Sequence, residues 1–237
     1  MKKQRFDWAK ARRIMSKTLC SVMIATAIVS FSSCSDDDED NNNGGGATSQ
    51  FTSLQVNVAN GSQYTDIAKV VAGYLDEPYS NVADYNNGNF TLEMLTPAAE
   101  DLWLFAEGAP ATITFSDASV KVAIFSYIAC YDSYLSMLGF IYFGKQVSGE
   151  DADASFIYAD RDCNVTGTVN GNAGSTNYTL LLKKGWNIVY FVYKEGWNEA
   201  IATTTPQSGF QWIMYYYGTE AGKTSAQKSE TKGFWKF

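Results

Sequence analysis

The residues able to do chemistry are few in kind. The chain of 237 residues contains no histidine. Ser-His-Asp and Cys-His triads, imidazole acid–base catalysis and every histidine-bearing metal site are therefore excluded. Carboxylates, thiols and indoles remain. Asp160-Arg161-Asp162 concentrates charge, but its expected role is a turn whose carboxylates accept backbone N–H groups, with Arg161 paired locally. Asp151-Ala-Asp153-Ala-Ser155 opens like a calcium loop with Asp162 at its twelfth position, yet Phe156 stands where the tight turn needs glycine, so a solvated acidic loop is expected. A glycoside hydrolase needs two carboxylates at a fixed separation, and spacing alone pairs none of the acids here. Gly218-Thr-Glu-Ala-Gly222-Lys223-Thr224 holds three residues between its glycines where a phosphate loop needs four. The expectation is a protein with no catalytic residue, no metal and no cofactor.

The indoles offer a different chemistry. A sugar ring presents a face of C–H groups on which an exposed indole can stack, while neighbouring amides bond its hydroxyls. Trp186-Asn187 and Trp197-Asn198 each follow a glycine, Gly185 or Gly196. The strand between them would be about 23 Å long at ~3.3 Å per residue. The two indoles then lie at opposite ends, so at most one belongs to a platform. The competing reading is that each caps the hydrophobic core at its own end. Among the thiols, Cys130 shares its expected face with Val122, Ile124 and Ile128, as a buried free cysteine would. A bond from Cys130 to Cys163 is the alternative in an oxidising compartment.

Charge divides the chain. Residues 1–33 carry seven Lys/Arg and one acid, whereas residues 34–237 carry a formal net charge of −13. A body this acidic excludes nucleic acid as a partner. In the first segment a basic stretch precedes the apolar run Val22–Val29, which is too short for a membrane span and matches the core of an export signal. Phe31-Ser-Ser-Cys34 resembles a bacterial lipobox, with Phe in place of the usual aliphatic residue. The resemblance implies cleavage before Cys34 and lipid attachment there, so the expected partner is the outer membrane, held through the lipid. Asp36-Asp-Asp-Glu-Asp40 and the Asn/Gly run after it have no means to pack, giving an expected flexible tether over residues 34–50, which with the signal peptide of residues 1–33 forms a disordered N-terminus. The acidic cluster is similar to the surface-export signal of Bacteroidetes lipoproteins, which implies display on the cell exterior.

Residues 51–237 must form the body. Aromatic and β-branched enrichment with turns marked by Gly and Asn predicts an all-β fold. Strands are expected at Leu54–Val58, Asp66–Leu75, Asn87–Leu95 (a turn entering a strand), Ala111–Phe115, Val120–Tyr131, Met137–Phe143, Ser155–Asp160, Cys163–Val169, Tyr178–Leu182, Asn187–Tyr193, Ala200–Thr205 and Gln211–Tyr217. Lys183-Lys184-Gly185-Trp186 reads as a hairpin turn, Lys145–Asp153 and Asn170–Ser175 as loops, and Pro97–Glu107 as one short helix. About a dozen short strands at such spacing predict an antiparallel β-sandwich of one domain, with a possible subdivision near 110 and a polar tail from 218. Asn87–Leu92 resembles the turn-into-strand of transthyretin-like modules. Phe156–Gly167, Leu182–Tyr190 and Thr203–Gly209 resemble a set of Bacteroidetes lipoproteins. That resemblance implies an immunoglobulin-like or transthyretin-like sandwich on a surface lipoprotein and brings no catalytic residue with it. The expected function is non-enzymatic binding, of a glycan or of a surface protein, with a glycan hydrolase as the third alternative. Intact protein should partition with membranes and incorporate radiolabelled palmitate, and Cys34→Ala should abolish both. Labelling that survives the substitution would overturn the lipid assignment.

Overall fold

The computed structural model describes residues 51–217 apart from 76, 148–149, 172–173 and 195–197. Cys34, the signal, the tether, Trp197 and the tail from 218 lie outside the described residues. The body is all-β with no α-helix among these residues. Its first strands are β1 (Ser53–Asn57), β2 (Lys69–Tyr74), β3 (Glu77–Pro78), β4 (Ala83–Asp84), β5 (Asn89–Glu93), β6 (Trp103–Leu104) and β7 (Ile113–Phe115). Next come β8 (Lys121–Phe125), β9 (Ile128–Tyr131), β10 (Met137–Val147), β11 (Glu150–Ala159) and β12 (Cys163–Gly171). The last are β13 (Gly174–Leu182), β14 (Gly185–Tyr193), β15 (Glu199–Thr203) and β16 (Gln211–Tyr216).

A two-stranded sheet, β1 with β5, lies apart from one large branched sheet ordered β3-β2-β9-β10-β11-β14-β15-β13-β12-β7. On this sheet β16 joins β10, β4 joins β2, and β8 with β6 joins β11. All pairings between these strands are antiparallel except β13 with β15, and an isolated parallel bridge joins Val58 to Trp212. The sheet bends around two main cores. The first holds Leu54, Val56, Leu92, Ile128, Ile141, Phe156, Trp186 and Trp212, with β1 and β5 covering it. The second holds Phe105, Val122, Ile124, Ile157, Val165, Leu180 and Val189. β11 and β14 serve both: Phe156 and Tyr190 face one core, Ile157 and Val189 the other. Their sequences, Phe156-Ile-Tyr and Ile188-Val-Tyr-Phe, are continuous apolar runs, as a strand buried on both faces requires.

Loop glycines let the first core close. Asn87 and Gly88 both have positive φ (50° and 91°), the pair a tight hairpin needs before β5. Gly88 abuts Gly61, where a Cβ would lie 2.4 Å from the Gly88 Cα. The Val58 N–H donates to the Gly88 carbonyl at 2.8 Å, and the Tyr85 hydroxyl donates to Gly61 O at 2.8 Å.

Several local expectations are corrected. Val120–Tyr131 is two strands, not one. The break at Ser126-Tyr127 switches faces, so Val122 and Ile124 enter the second core while Ile128 and Cys130 enter the first. Lys183–Trp186 is not a hairpin, because β15 lies between β13 and β14. The expected loops at 145–153 and 170–175 are mostly strand, and Pro97–Glu107 contains only a 3-10 turn at Ala99–Asp101. Residue 110 does not divide the body, since Phe105 and Ile113 pack in the same core. Cys130 and Cys163 are both free and buried, one in each core. Burial pushes the Cys130 thiol well above its ordinary range.

The charged turn holds the ends of several strands together. Arg161 forks onto Asp160, with Nε to Oδ1 at 3.1 Å and Nη2 to Oδ2 at 3.0 Å, while Nη1 donates to Ser119 Oγ at 3.0 Å. Asp160 also accepts the Lys121 N–H at 2.9 Å, and Asp162 accepts the Lys184 N–H at 2.9 Å. These bonds match the turn role expected for Asp160-Arg161-Asp162. Three carboxyls are held below the usual carboxylate range. The Ser119 hydroxyl and N–H lower Asp117, with Arg161 adding to them. Burial acts the other way on Asp160, but Arg161 and the Lys121 N–H outweigh it; the Lys183 ammonium and Lys184 N–H lower Asp162. A carboxyl depressed on folding contributes stability above its unfolded pKa, near 4, and loses it as pH falls. With no histidine, the urea midpoint should stay level from pH 7 to 5 and drop below about pH 4. A midpoint that rises as pH falls from 7 to 5 would instead report the half-buried Asp151, which burial raises, because protonating it relieves the cost of burying its charge.

Candidate functional site

The candidate site lies on the face of β10 and β16 opposite the first core. Alternation places Ile141 and Phe143 inward, so Phe140, Tyr142, Gly144 and Gln146 point the other way. In β16 the register sets Tyr215 beside Phe140 and Ile213 beside Tyr142. Tyr127 joins from the break before β9, and Tyr217 from just beyond β16. Phe140 is the hub. Its ring centroid lies 5.1 Å from Tyr215, 5.4 Å from Tyr127, 6.0 Å from Tyr217 and 6.4 Å from Tyr142. The surrounding tyrosines are half-buried, and Tyr217 is 39% exposed. On the neighbouring β2 and β9, Val71 and Ala129 are buried under Tyr131, Leu75 and Met137, which extends the apolar surface sideways.

Gly144 sets the posture of Tyr142. A Cβ at residue 144 would lie 2.8 Å from Tyr142 Cε2, so the tyrosine ring lies across the strand where glycine leaves room. The Gln146 amide donates to the Tyr142 hydroxyl at 2.6 Å and holds the ring down. The next strand adds carboxylates. Asp153 is opposite Gly144 and Asp151 is opposite Gln146, both on the tyrosine face. The Tyr193 hydroxyl donates to Asp153 Oδ2 at 3.3 Å. Burial and the two aspartates together push the Tyr142 phenol far above its ordinary range. The face therefore offers flat apolar rings, phenol and amide hydrogen-bonding groups, and carboxylate acceptors.

The residues proposed from sequence lie elsewhere. Trp186 is only 4% exposed and belongs to the first core, packed against Phe125, Tyr79 and Tyr158 at 5.4–5.9 Å. Its indole N–H donates to the Leu95 carbonyl at 3.0 Å. The platform reading for Trp186 is thus replaced by the core-cap reading. Asn187 is 2% exposed and spends its amide on the chain itself. It accepts the Lys183 N–H at 2.9 Å and donates to the carbonyls of Lys183 and Gly185 at 2.7 and 2.9 Å. It fixes the bend from β13 to β14 and has nothing left for a ligand. Asn198 is exposed, with its carbonyl accepting the Ser175 N–H at 2.9 Å. Trp197 and Cys34 lie outside the described residues. Asp151 and Asp153 sit in a strand, not a loop, and no group of three or more potential metal-binding side chains occurs among the described residues.

Sequence reasoning missed Tyr127, Phe140, Tyr142, Tyr215 and Tyr217. A signal was present: Phe140-Ile-Tyr-Phe143 and Met214-Tyr-Tyr-Tyr217 are aromatic at both alternating sets of positions. A strand apolar on both faces is either central or carries an aromatic surface. No family model matches the chain, and no curated protein or solved structure matches it. Trp186→Ala should cost about 3–5 kcal/mol as a large core truncation, read as a lower urea midpoint, and leave any ligand affinity of the folded protein unchanged. Near-wild-type stability with lost binding would restore the platform reading.

Proposed function

We propose that the protein is a lipid-anchored lipoprotein of the outer membrane, displayed on the cell exterior, that binds glycans without chemically altering them. The binding surface in this reading is the tyrosine face. One observation carries it: half-buried rings around Phe140 share a sheet face with two carboxylates and an amide. Sugar C–H faces stack on aromatic rings, and sugar hydroxyls donate to carboxylates and phenols. The export signal, the lipobox resemblance at Cys34 and the acidic tether support the location. The likeness to Bacteroidetes surface lipoproteins supports it too.

A second reading, contact with a protein partner, draws on the tip between β9 and β10. Asp132 Oδ1 accepts the N–H groups of Tyr134 and Ser136, each at 2.8 Å, and so shapes the turn. The tip presents Tyr134 at 88% and Leu135 at 57% exposure. Leu135 has φ of 64°, a conformation that costs a side chain roughly 1–2 kcal/mol. Such a tip suits insertion into a partner's pocket.

One experiment separates the readings. The mature chain is run through gels containing neutral polysaccharides, and retardation is measured. Tyr142→Ala and Tyr215→Ala should each weaken binding about tenfold, or ~1.4 kcal/mol, with the urea midpoint showing that both remain folded. Retardation unchanged in both variants sinks the tyrosine-face site. Binding lost instead in a Tyr134→Ser, Leu135→Gly double variant would move the site to the tip.

A further inference from the structure

The tyrosine face has a direction and a sign of charge, and together they narrow the ligand. Its aromatic and amide groups follow β10. The register pairs Gly139 with Tyr216, which puts Tyr217 opposite Leu138 at one end, and Gln146 marks the other. Eight residue steps at ~3.3 Å make a strip of about 26 Å. Tyr215 lies between, stacked at an interplanar angle of 22° against Phe140, which is itself buried at 7% exposure and backs the strip, and Tyr142 is laid down over Gly144. A single sugar ring would touch one or two of these groups. Only an extended chain can touch them all.

Charge enters along one flank. Asp153 and Asp151 line the strip beside Gly144 and Gln146, on the same face as Tyr142. Both are half-buried, which strengthens their field relative to open water. Residues 34–237 as a whole carry a formal −13. A uronate or sulfate placed over Asp151 and Asp153 meets like charge; a hydroxyl meets an acceptor.

Resting on the glycan reading above, we propose that the ligand is an extended, uncharged polysaccharide chain lying along β10, and that Asp151 and Asp153 bind its hydroxyls while rejecting acidic glycans. Affinity therefore grows with chain length up to the span of the strip. Discrimination against acidic chains depends on the two carboxylates and weakens as salt screens them.

The test uses the full mature chain and two ligand sets at low ionic strength. The first set is neutral β-linked gluco-oligosaccharides of two to six units, titrated by calorimetry. The second is mixed-linkage β-glucan against polygalacturonate and chondroitin sulfate, compared by gel retardation. Affinity should rise at least tenfold from two units to six, and the acidic polymers should bind at least tenfold more weakly than β-glucan. Asp151→Asn with Asp153→Asn should narrow that gap at least fivefold. The single variants provide the same readout should the double variant fold poorly. Acidic polymers bound as well as β-glucan, or affinity independent of length, would overturn this inference and leave the glycan reading standing. Binding of no glycan in either set would overturn both.

Discussion

Burial of β11 and β14 on both faces is the constraint on which the other elements depend. A strand shared by two cores cannot shift register by one residue without exchanging its two side-chain sets. Phe156 would leave the ring stack with Phe125, whose centroid lies 4.8 Å away, and Ile157 would leave the second core. Each large apolar side chain so displaced forfeits roughly 1.5–3 kcal/mol of burial. The pairings of β8, β10 and β15 with these two strands then fix where both halves of the molecule lie. This explains why the sheet branches. β10 and β8 both join β11, at different places along its length: β10 serves the first core, while β8 gives Val122 and Ile124 to the second and Phe125 to the first.

The aromatic residues divide between two duties. Trp186, Trp212, Phe125, Phe143 and Phe156 fill the first core with edge-on and stacked contacts. Tyr127, Tyr142, Tyr215 and Tyr217 lie outside it, around Phe140. The tendency follows chemistry, although Tyr190 packs in the first core and Tyr178 in the second. Tyrosine carries a hydroxyl that needs a partner, and a sheet face at the water boundary supplies one. The indole of Trp186 meets the same need inside the core by donating to the Leu95 carbonyl. Trp212 does not: its indole nitrogen is buried without a hydrogen-bond partner among the described residues. Leaving it so costs about 1–3 kcal/mol, a loss offset by ring packing against Phe143 and Phe156.

Local features were legible in the sequence and long-range ones were not. Asn87-Gly88 announced its turn because a pair of positive φ angles needs those residues. Leu54, Val56 and Val58 announced β1 by alternation. Asp160 and Asp162 showed their turn role because such bonds are short-range. The single face assigned to Val122, Ile124, Ile128 and Cys130 failed at Ser126-Tyr127, where two unremarkable residues carry the chain from one core to the other. Trp186-Asn187 looked like a ligand pair because a glycine preceded it. Its real surroundings, Leu95 O and the Lys183 bend, come partly from 91 residues away. The tyrosine face is wholly non-local, being assembled from residues 127, 140–146, 151–153 and 215–217.

The insertion of β15 bears on how the chain reaches this state. β13 and β14 are consecutive, yet neither pairs with the other, and the parallel and antiparallel ladders to β15 satisfy both. A growing chain completes Gly174–Tyr193 before Glu199–Thr203 exists. Until then two strand edges stand open side by side, with main-chain donors and acceptors that another molecule's strand could take. Closing the gap depends on a segment of five residues that must thread between them. Assembly of this half is therefore gated by a late, short keystone. Release of the chain before that segment emerges would expose an adhesive edge and invite aggregation rather than a smaller working domain.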